Sequence, residues 1–408
     1  MGATFRLPLI YLFLIRSILV TPLIRLNILI TVTCNLLSSV TFAAQHSDPY
    51  MYITSFIVRQ YTVRSTDATS TFTDDGGQAC QCVPYYLCDD ELVGVDANNA
   101  SVTGWGTLDI RFGKDDCQES VERCCKIPRT EPAPTPAPVV SRPTGCGYRN
   151  RKGIDFNVVG GSGAEAQFGE FPWVVALMGP SGYVGVGSLI HPQVVITAAH
   201  VVYQALSIRA GEWDTQTVKE RLPHQERNVE EYYLHSDFHS KSLRNDMALL
   251  RLAQPVELSE HIGLLCLPDQ DENFEASGDC VANGWGRDVF GQKGRYAVIL
   301  KLVELNMVPH ALCNQLLQHT RLGSRFRLHN SFVCAGGEEG KDTCKGDGGA
   351  PLACPIGGDR YKLTGLVAWG IGCGDRDVPA VYAAVAKFRH WVDQKMAEWG
   401  FGATMYTA

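Results

Sequence analysis

The distribution of its fifteen cysteines constrains this 408-residue chain more than any other feature of the sequence. A segment as short as 80–125, which holds six of them, buries too little apolar surface to be stable alone, so three disulfides would supply much of its stability. Eight more cysteines follow after residue 145. The pattern predicts a small disulfide-rich module, a larger domain and an oxidising compartment.

Residues 1–44 have the composition of a secretory signal peptide, with three arginines before an uncharged run that ends at Ala43 and Ala44. An uncleaved membrane anchor is the alternative, because the apolar run approaches the length that spans a bilayer. Cleavage would remove Cys34 and leave fourteen cysteines, which can pair completely. We therefore expect a secreted, extracellular protein with no membrane association after cleavage.

Charge and residue spacing exclude several classes of partner. The formal charge of −7 becomes −10 once the three arginines of residues 1–44 are removed. No lysine- or arginine-rich run occurs, so nucleic acid is not expected as a partner. The cysteine spacings do not match zinc sites, and we expect neither a metal nor a cofactor.

Composition divides the remaining chain into four parts. Residues 45–79 are polar and rich in serine and threonine, which predicts a flexible N-terminal segment. In 80–125, Leu108, Ile110 and Phe112 alternate with charged residues as in a strand, and Asn99 is a candidate glycosylation site. Residues 126–145 contain six prolines and read as a semi-rigid linker.

The large domain, 146–408, has short apolar runs separated by glycine and proline, which predicts an antiparallel all-β fold. Near its end five apolar residues recur at helical spacing and predict a terminal helix packed on the sheets. These residues are Phe388, Trp391, Val392, Met396 and Trp399.

Three motifs carry the chemistry of this domain. His200 follows Thr197-Ala198-Ala199, Asp246 lies in Asn245–Leu250, and a glycine-rich loop spans 344–351. A serine triad needs a base, a carboxylate and a nucleophile in such an arrangement. With these motifs the chain resembles the trypsin-like serine protease family over about residues 158–400. The resemblance implies two antiparallel six-stranded β-barrels and a C-terminal helix.

The nucleophile is missing from that arrangement. The family has Gly-Asp-Ser-Gly-Gly-Pro where this chain has Gly346-Asp347-Gly348-Gly349-Ala350-Pro351. Glycine offers no oxygen to attack a carbonyl, so we predict a non-catalytic protein in which the amides of Gly346 and Gly348 are the remnant of an oxyanion hole. Ala350 and Ala368 are further departures. An active endopeptidase with an error at this position is the alternative.

His200 and Asp246 are expected to persist as a mutually satisfied buried pair, and a binding role is the alternative. By resemblance, Asp342, Gly370 and Ala380 would line the pocket for a basic side chain. Whether that pocket still accepts lysine or arginine stays open.

The family is activated by a cut before Val158-Val159-Gly160-Gly161, after which the new terminus pairs with the aspartate before the serine, here Asp347. Asn157 precedes that point, so trypsin-like activators would have to cut elsewhere. The candidate cleavage residues are Arg123, Arg129, Arg142, Arg149, Arg151 and Lys152.

The six-cysteine segment resembles a clip domain, a module of arthropod immune and developmental proteases. The match rests on Cys82–Cys88, Asp109–Phe112 and the adjacent Cys124 and Cys125. By resemblance alone, the disulfides would be Cys80–Cys124, Cys82–Cys117, Cys88–Cys125, Cys146–Cys266, Cys280–Cys354, Cys313–Cys334 and Cys344–Cys373.

Clip module, proline linker and a glycine-substituted protease domain together resemble the clip-domain serine protease homologs. That resemblance implies a binding cofactor in an extracellular cascade, with prophenoloxidase or a cascade protease or zymogen as the partner. A decoy or inhibitor of a protease is the other binding role that the sequence allows.

Overall fold

The computed structural model describes residues 71–73, 79–88, 107–109, 121–125, 128, 145–154, 157–159, 163–286, 296–343 and 346–408. The predicted signal peptide, Asn99 and the linker from 129 to 144 lie outside these residues, and the domain boundaries stay predictions. Among the described residues, no helix has the length and apolar composition to cross a membrane.

Strands dominate the described part of the chain. They are β1 (Thr71–Thr73), β2 (Ala79–Pro84), β3 (Thr107–Asp109), β4 (Glu122–Cys125), β5 (Asn157–Val159), β6 (Val174–Gly179), β7 (Gly182–His191), β8 (Val194–Thr197), β9 (Ser207–Ala210), β10 (Gln225–Leu234), β11 (Ala248–Leu252), β12 (Cys280–Gly284), β13 (Lys301–Leu305), β14 (Met307–Val308), β15 (Phe332–Ala335), β16 (Pro351–Gly357), β17 (Arg360–Trp369) and β18 (Ala380–Ala384). The α-helices described are α1 (Ala199–Val202), α2 (His310–Gln318) and α3 (Arg389–Glu398), with 3-10 turns at Tyr85–Leu87, Val385–Phe388 and Ala403–Met405.

The first half of the large domain is a closed barrel with the strand order β10-β11-β8-β7-β6-β9. Alternate side chains point to opposite sides of a strand, so β8 and the first four residues of β6 are buried on both faces, whereas β10 alternates between half-buried and exposed residues. In β6, Val175 and Leu177 pack in one buried cluster, whereas Val174 and Ala176 pack in another. This explains the continuous apolar runs in the sequence and confirms the all-β, chymotrypsin-like fold class.

The second half is a seven-stranded sheet with the order β13-β12-β16-β17-β18-β15-β14, where six strands were expected. Its two edge strands, β13 and β14, adjoin along the chain and are separated by Asn306 alone. One continuous segment therefore supplies both edges of a curled sheet. Because the segment is broken at Asn306, it counts as two strands, and the sheet has seven strands where six were expected. The Asn306 side chain donates a hydrogen bond to the Glu338 carboxylate at 2.9 Å.

The predicted terminal helix is confirmed as α3, and the apolar side chains that recur at helical spacing pack against the rest of the domain. Val392 and Met396 are fully buried. Trp399, which follows the helix, stacks on Tyr233 with ring centroids 4.7 Å apart and donates its indole N–H to Glu231 at 3.1 Å. Tyr233 and Glu231 belong to β10, so the terminal helix is tied to the first barrel.

A three-stranded antiparallel sheet, β1-β2-β4, lies against the large domain. Its first strand, Thr71–Thr73, belongs to the segment 45–79 that was predicted to be flexible, and it is ordered here by pairing with β2 of the clip segment. Tyr85 and Val121 are buried in the same cluster as Trp213 of that domain. Glu122 accepts a hydrogen bond from Lys219 at 2.9 Å.

A second contact pairs β3 with β5 in parallel and sets Leu108 opposite Val158. β3 confirms the beginning of the strand predicted from the alternation at 108–112, while Ile110 and Phe112 lie outside the described residues. The junction strand β5 is thus joined to a strand of the clip segment.

Candidate functional site

The base and the carboxylate of the expected triad meet between β8 and β11. His200 lies in α1 directly after β8, and Asp246 precedes β11, the neighbour of β8 in the barrel. The imidazole Nδ1 is 2.6 Å from Asp246 Oδ2, and the His200 backbone amide donates to Oδ1 at 2.9 Å. Asp246 is fully buried, whereas the His200 side chain is 26% exposed. The pair is formed and orients Nε2 toward residue 348.

Gly348 occupies the nucleophile position, and the space beside it is already filled. A Cβ added to Gly348 would lie 2.7 Å from His200 Nε2 and 2.9 Å from a methyl carbon of Val201. The Gly348 carbonyl accepts a hydrogen bond from the Val186 amide at 3.0 Å, which fixes the turn to the barrel. Among the described residues of this loop, His200 Nε2 therefore faces a glycine at position 348, which has no side-chain oxygen to present to it.

The neighbouring glycines hold the loop in conformations that other residues rarely adopt. Gly346 has φ +107° and Gly349 has φ +76°. A side chain at Gly349 would also strike the Thr197 hydroxyl and the Val186 carbonyl. The Gly346 carbonyl accepts a hydrogen bond from the Tyr183 hydroxyl at 2.7 Å. These conformations and hydrogen bonds fix the backbone of the loop on both sides of residue 348.

Asp347 and the junction segment are bonded to different parts of the molecule. Asp347 Oδ1 accepts the Gly286 amide at 2.8 Å. The Val158 amide instead donates to Gln167 Oε1 at 2.6 Å. Because the chain is uncut before Val158, it has no new terminal ammonium group to offer Asp347.

Of the predicted pocket residues, Asp342 is a half-buried carboxylate. Burial raises the pKa of Asp342 from 3.8 to about 6, although the amides of Gly374 and Thr343 donate to the carboxylate and oppose that rise. Ala380 is buried, whereas Gly370 is exposed and a Cβ there would meet little. With a pKa of about 6, the Asp342 carboxylate is still mostly ionised at pH 7.

Four disulfides of the expected set are present, namely Cys88–Cys125, Cys146–Cys266, Cys280–Cys354 and Cys313–Cys334. Cys82 and Cys373 are also disulfide-bonded. Their expected partners, Cys117 and Cys344, lie outside the described residues, as does the side chain of Cys124, the expected partner of Cys80. Among the described residues, no group of three His, Cys, Asp or Glu side chains is placed to hold a metal ion.

The structure corrects one of the cleavage candidates. Arg149 is buried, donates to Glu170 at 2.7 and 2.9 Å, and reaches the Tyr361 hydroxyl at 3.1 Å. A protease has no access to a side chain held in this way. Arg151 and Lys152 are exposed and stay candidates, whereas the side chains of Arg123, Arg129 and Arg142 lie outside the described residues. The glutamate partner at 170 was in the sequence, but nothing there marked it as buried.

Comparison with known proteins agrees with this geometry. The trypsin family matches residues 160–392, and the "Serine protease Clip domain PPAF-2" family matches residues 69–126. Phenoloxidase-activating factor 2 of Galleria mellonella is 50% identical over 69% of this chain and 97% of its own length.

Two mosquito proteins are also similar. Inactive CLIP domain-containing serine protease A8 of Anopheles gambiae is 37% identical over 79% of this chain and 92% of its own length. Inactive CLIP domain-containing serine protease A3 of Aedes aegypti is 39% identical over 79% of this chain and 68% of its own length. The chain belongs to the trypsin family of serine proteases, as a clip-domain serine protease homolog.

Proposed function

We propose that this chain is a secreted, non-catalytic cofactor that binds a protein partner in an extracellular cascade, the activation of prophenoloxidase. The observation that carries the proposal is Gly348 at the nucleophile position, with His200 Nε2 where a side chain at 348 would begin. Without an acyl-enzyme the chain contributes to a cascade by binding.

The rest of the site supports a folded binding protein over a decayed enzyme. The His200–Asp246 pair, the left-handed glycines and the disulfides preserve the protease scaffold, and a buried charge without its partner would destabilise it. The names of the relatives, a phenoloxidase-activating factor and two inactive proteases, favour the same role. The number of disulfides favours an oxidising, extracellular location.

Reconstitution tests the proposal. Purified prophenoloxidase and its activating protease are incubated with and without the processed chain, and phenoloxidase activity is measured. We expect activity to rise with the chain present. Pretreating the chain with a fluorophosphonate, followed by its removal, is the control: the chain should not be labelled, and its effect should persist.

Each alternative role gives a different result. Covalent labelling of the chain, or hydrolysis of an arginyl amide by it, would show an active endopeptidase. Lower phenoloxidase activity in its presence would show an inhibitor or a decoy. If the chain had no effect on phenoloxidase activation at any ratio to prophenoloxidase, the proposal would be refuted.

A further inference from the structure

One face of the large domain has the opposite charge to the chain as a whole. From Leu305 to Gly337 the sequence contains no aspartate or glutamate, although the chain carries a formal charge of −7. The same span contains Arg321, Arg325 and Arg327, and all three side chains are exposed.

The fold brings two more cations to this face. Lys241 and Arg244 are exposed on the turn before Asp246. Leu243, between them, packs in one cluster with Leu322 and Phe326, and the Asn245 amide donates to Ser331 Oγ at 3.1 Å.

His329, two residues after Arg327, lies near Arg244. Burial lowers the pKa of His329, and the nearby charges of Arg244 and His310 lower it further. We call Lys241, Arg244, Arg321, Arg325 and Arg327 the basic face.

The cations of the basic face lack carboxylate partners. Within the described part of the chain, none of the five forms an ion pair, and the one carboxylate of the 235–245 turn, Asp237, accepts a hydrogen bond from Ser236. Exposed cations elsewhere do pair, as Lys341 does with Glu338 and Lys387 with Asp271. Five unpaired charges on one surface of an acidic protein attract an anionic partner.

We propose that the basic face binds an acidic segment of a protein partner. Four of its five cations are arginines, whose planar guanidinium groups bind carboxylates through two parallel hydrogen bonds. The half-buried Leu322 and Phe326 lie among them and offer apolar contact to the side chains of a polypeptide. This inference rests on the proposed function in one respect, that the ligand is a protein.

The test measures binding of the full-length protein to a short labelled peptide of glutamate and leucine by fluorescence anisotropy. Replacing Arg321→Glu, Arg325→Glu and Arg327→Glu together should weaken binding about tenfold or more, since each exposed pair is worth roughly twofold to fivefold. A matched control, Lys341→Glu with Arg376→Glu and Lys387→Glu, changes the net charge equally on other exposed positions and should alter binding less than about twofold. Binding should also fall as salt is added.

Several results would overturn the inference. Equal weakening by both triple variants would show a response to net charge, and equal binding of a glutamine–leucine peptide would show that acidity is not recognised. Heparin or phosphatidylserine vesicles bound through the same arginines, with no peptide binding, would assign the face to a polysaccharide or a membrane. If peptide binding fails while the chain still promotes phenoloxidase activation, the proposed function stands, and the inference that the basic face binds an acidic segment is refuted.

Discussion

Replacing Gly348 with serine restores the missing hydroxyl, and the steric cost of the added side chain follows from the structure. The new Cβ would lie 2.7 Å from His200 Nε2. Ordinary contacts between nonbonded atoms are about 3.5–4.0 Å, so the imidazole has to move by roughly 1 Å. Overpacking of this kind costs about 1–3 kcal/mol. Loss of glycine's freedom in the unfolded chain offsets about 0.4–1 kcal/mol.

The net expectation for Gly348→Ser is therefore a loss of about 1–2 kcal/mol, or about 2–8 °C in Tm for a domain of this size. Activity should stay at background. His200 is displaced, and with no new terminus to pair with Asp347 the amides of Gly346 and residue 348 are poorly placed. Each oxyanion donor lost lowers the rate ~10²–10³-fold.

The assay compares hydrolysis of an arginyl amide and calorimetric Tm for wild type, Gly348→Ser, and Gly348→Ser combined with Asn157→Arg after trypsin-like cleavage. Gly402→Ser is the matched control, because a Cβ there meets nothing within 4 Å and φ is −83°. We expect activity, if any, in the cleaved double variant alone. Robust turnover by Gly348→Ser with an unchanged Tm would refute the reasoning, since it would mean that His200 and the loop accept the side chain as they are.

Three further predictions concern stability and covalent structure. Arg149→Ala should lower the free energy of unfolding by about 3–5 kcal/mol, because it leaves the Glu170 carboxylate buried and unpaired, whereas Arg151→Ala should cost less than about 1 kcal/mol; urea titration compares them. Burial, with the charges of Glu212 and Asp214, raises the pKa of Glu220 from 4.5 to about 7. The folded state thus holds an extra proton on Glu220, whose stabilising effect is present below about pH 4.5 and is lost as the pH rises through about 7, by about 3 kcal/mol in all. Glu220→Gln should remove this dependence of the unfolding free energy on pH, measured from unfolding curves between about pH 4.5 and 7. An unchanged pH dependence in the variant would contradict the assignment. Finally, the mature protein should show no free thiol when denatured without reductant, and one reactive thiol per chain in a colorimetric titration would contradict the pairing of fourteen cysteines.

The fold was predictable where local pattern and family motif agree. Apolar spacing at Phe388, Val392 and Met396 specifies α3, and a helix of that pattern buries the same side chains in any packing. The count of strands in the second sheet was not predictable, because the segment breaks at Asn306 where it passes from one edge of the sheet to the other, and no local pattern encodes that break. Long-range partners of this kind become visible only when the chain is folded.

The candidate site shows the same division. Its members, His200, Asp246 and Gly348, follow from motif order. The short distance from His200 Nε2 to the position of a Cβ at residue 348 does not follow from the motifs. This distance shows that His200 already fills the space that a side chain at position 348 would need. The basic face likewise could not be predicted from the sequence, because it combines two segments that lie far apart along the chain.

The parallel pairing of β3 with β5 bears on how such a protein evolves. A protease accepts its substrate as an extended strand, and here that strand already has a partner within the molecule. The backbone of residues 157–159 is therefore engaged within the molecule, and this pairing has to open before the bond preceding Val158 can enter the cleft of an activating enzyme. A substitution at position 157 alone leaves that second obstacle in place, so a cleavable junction is not regained by a single residue change.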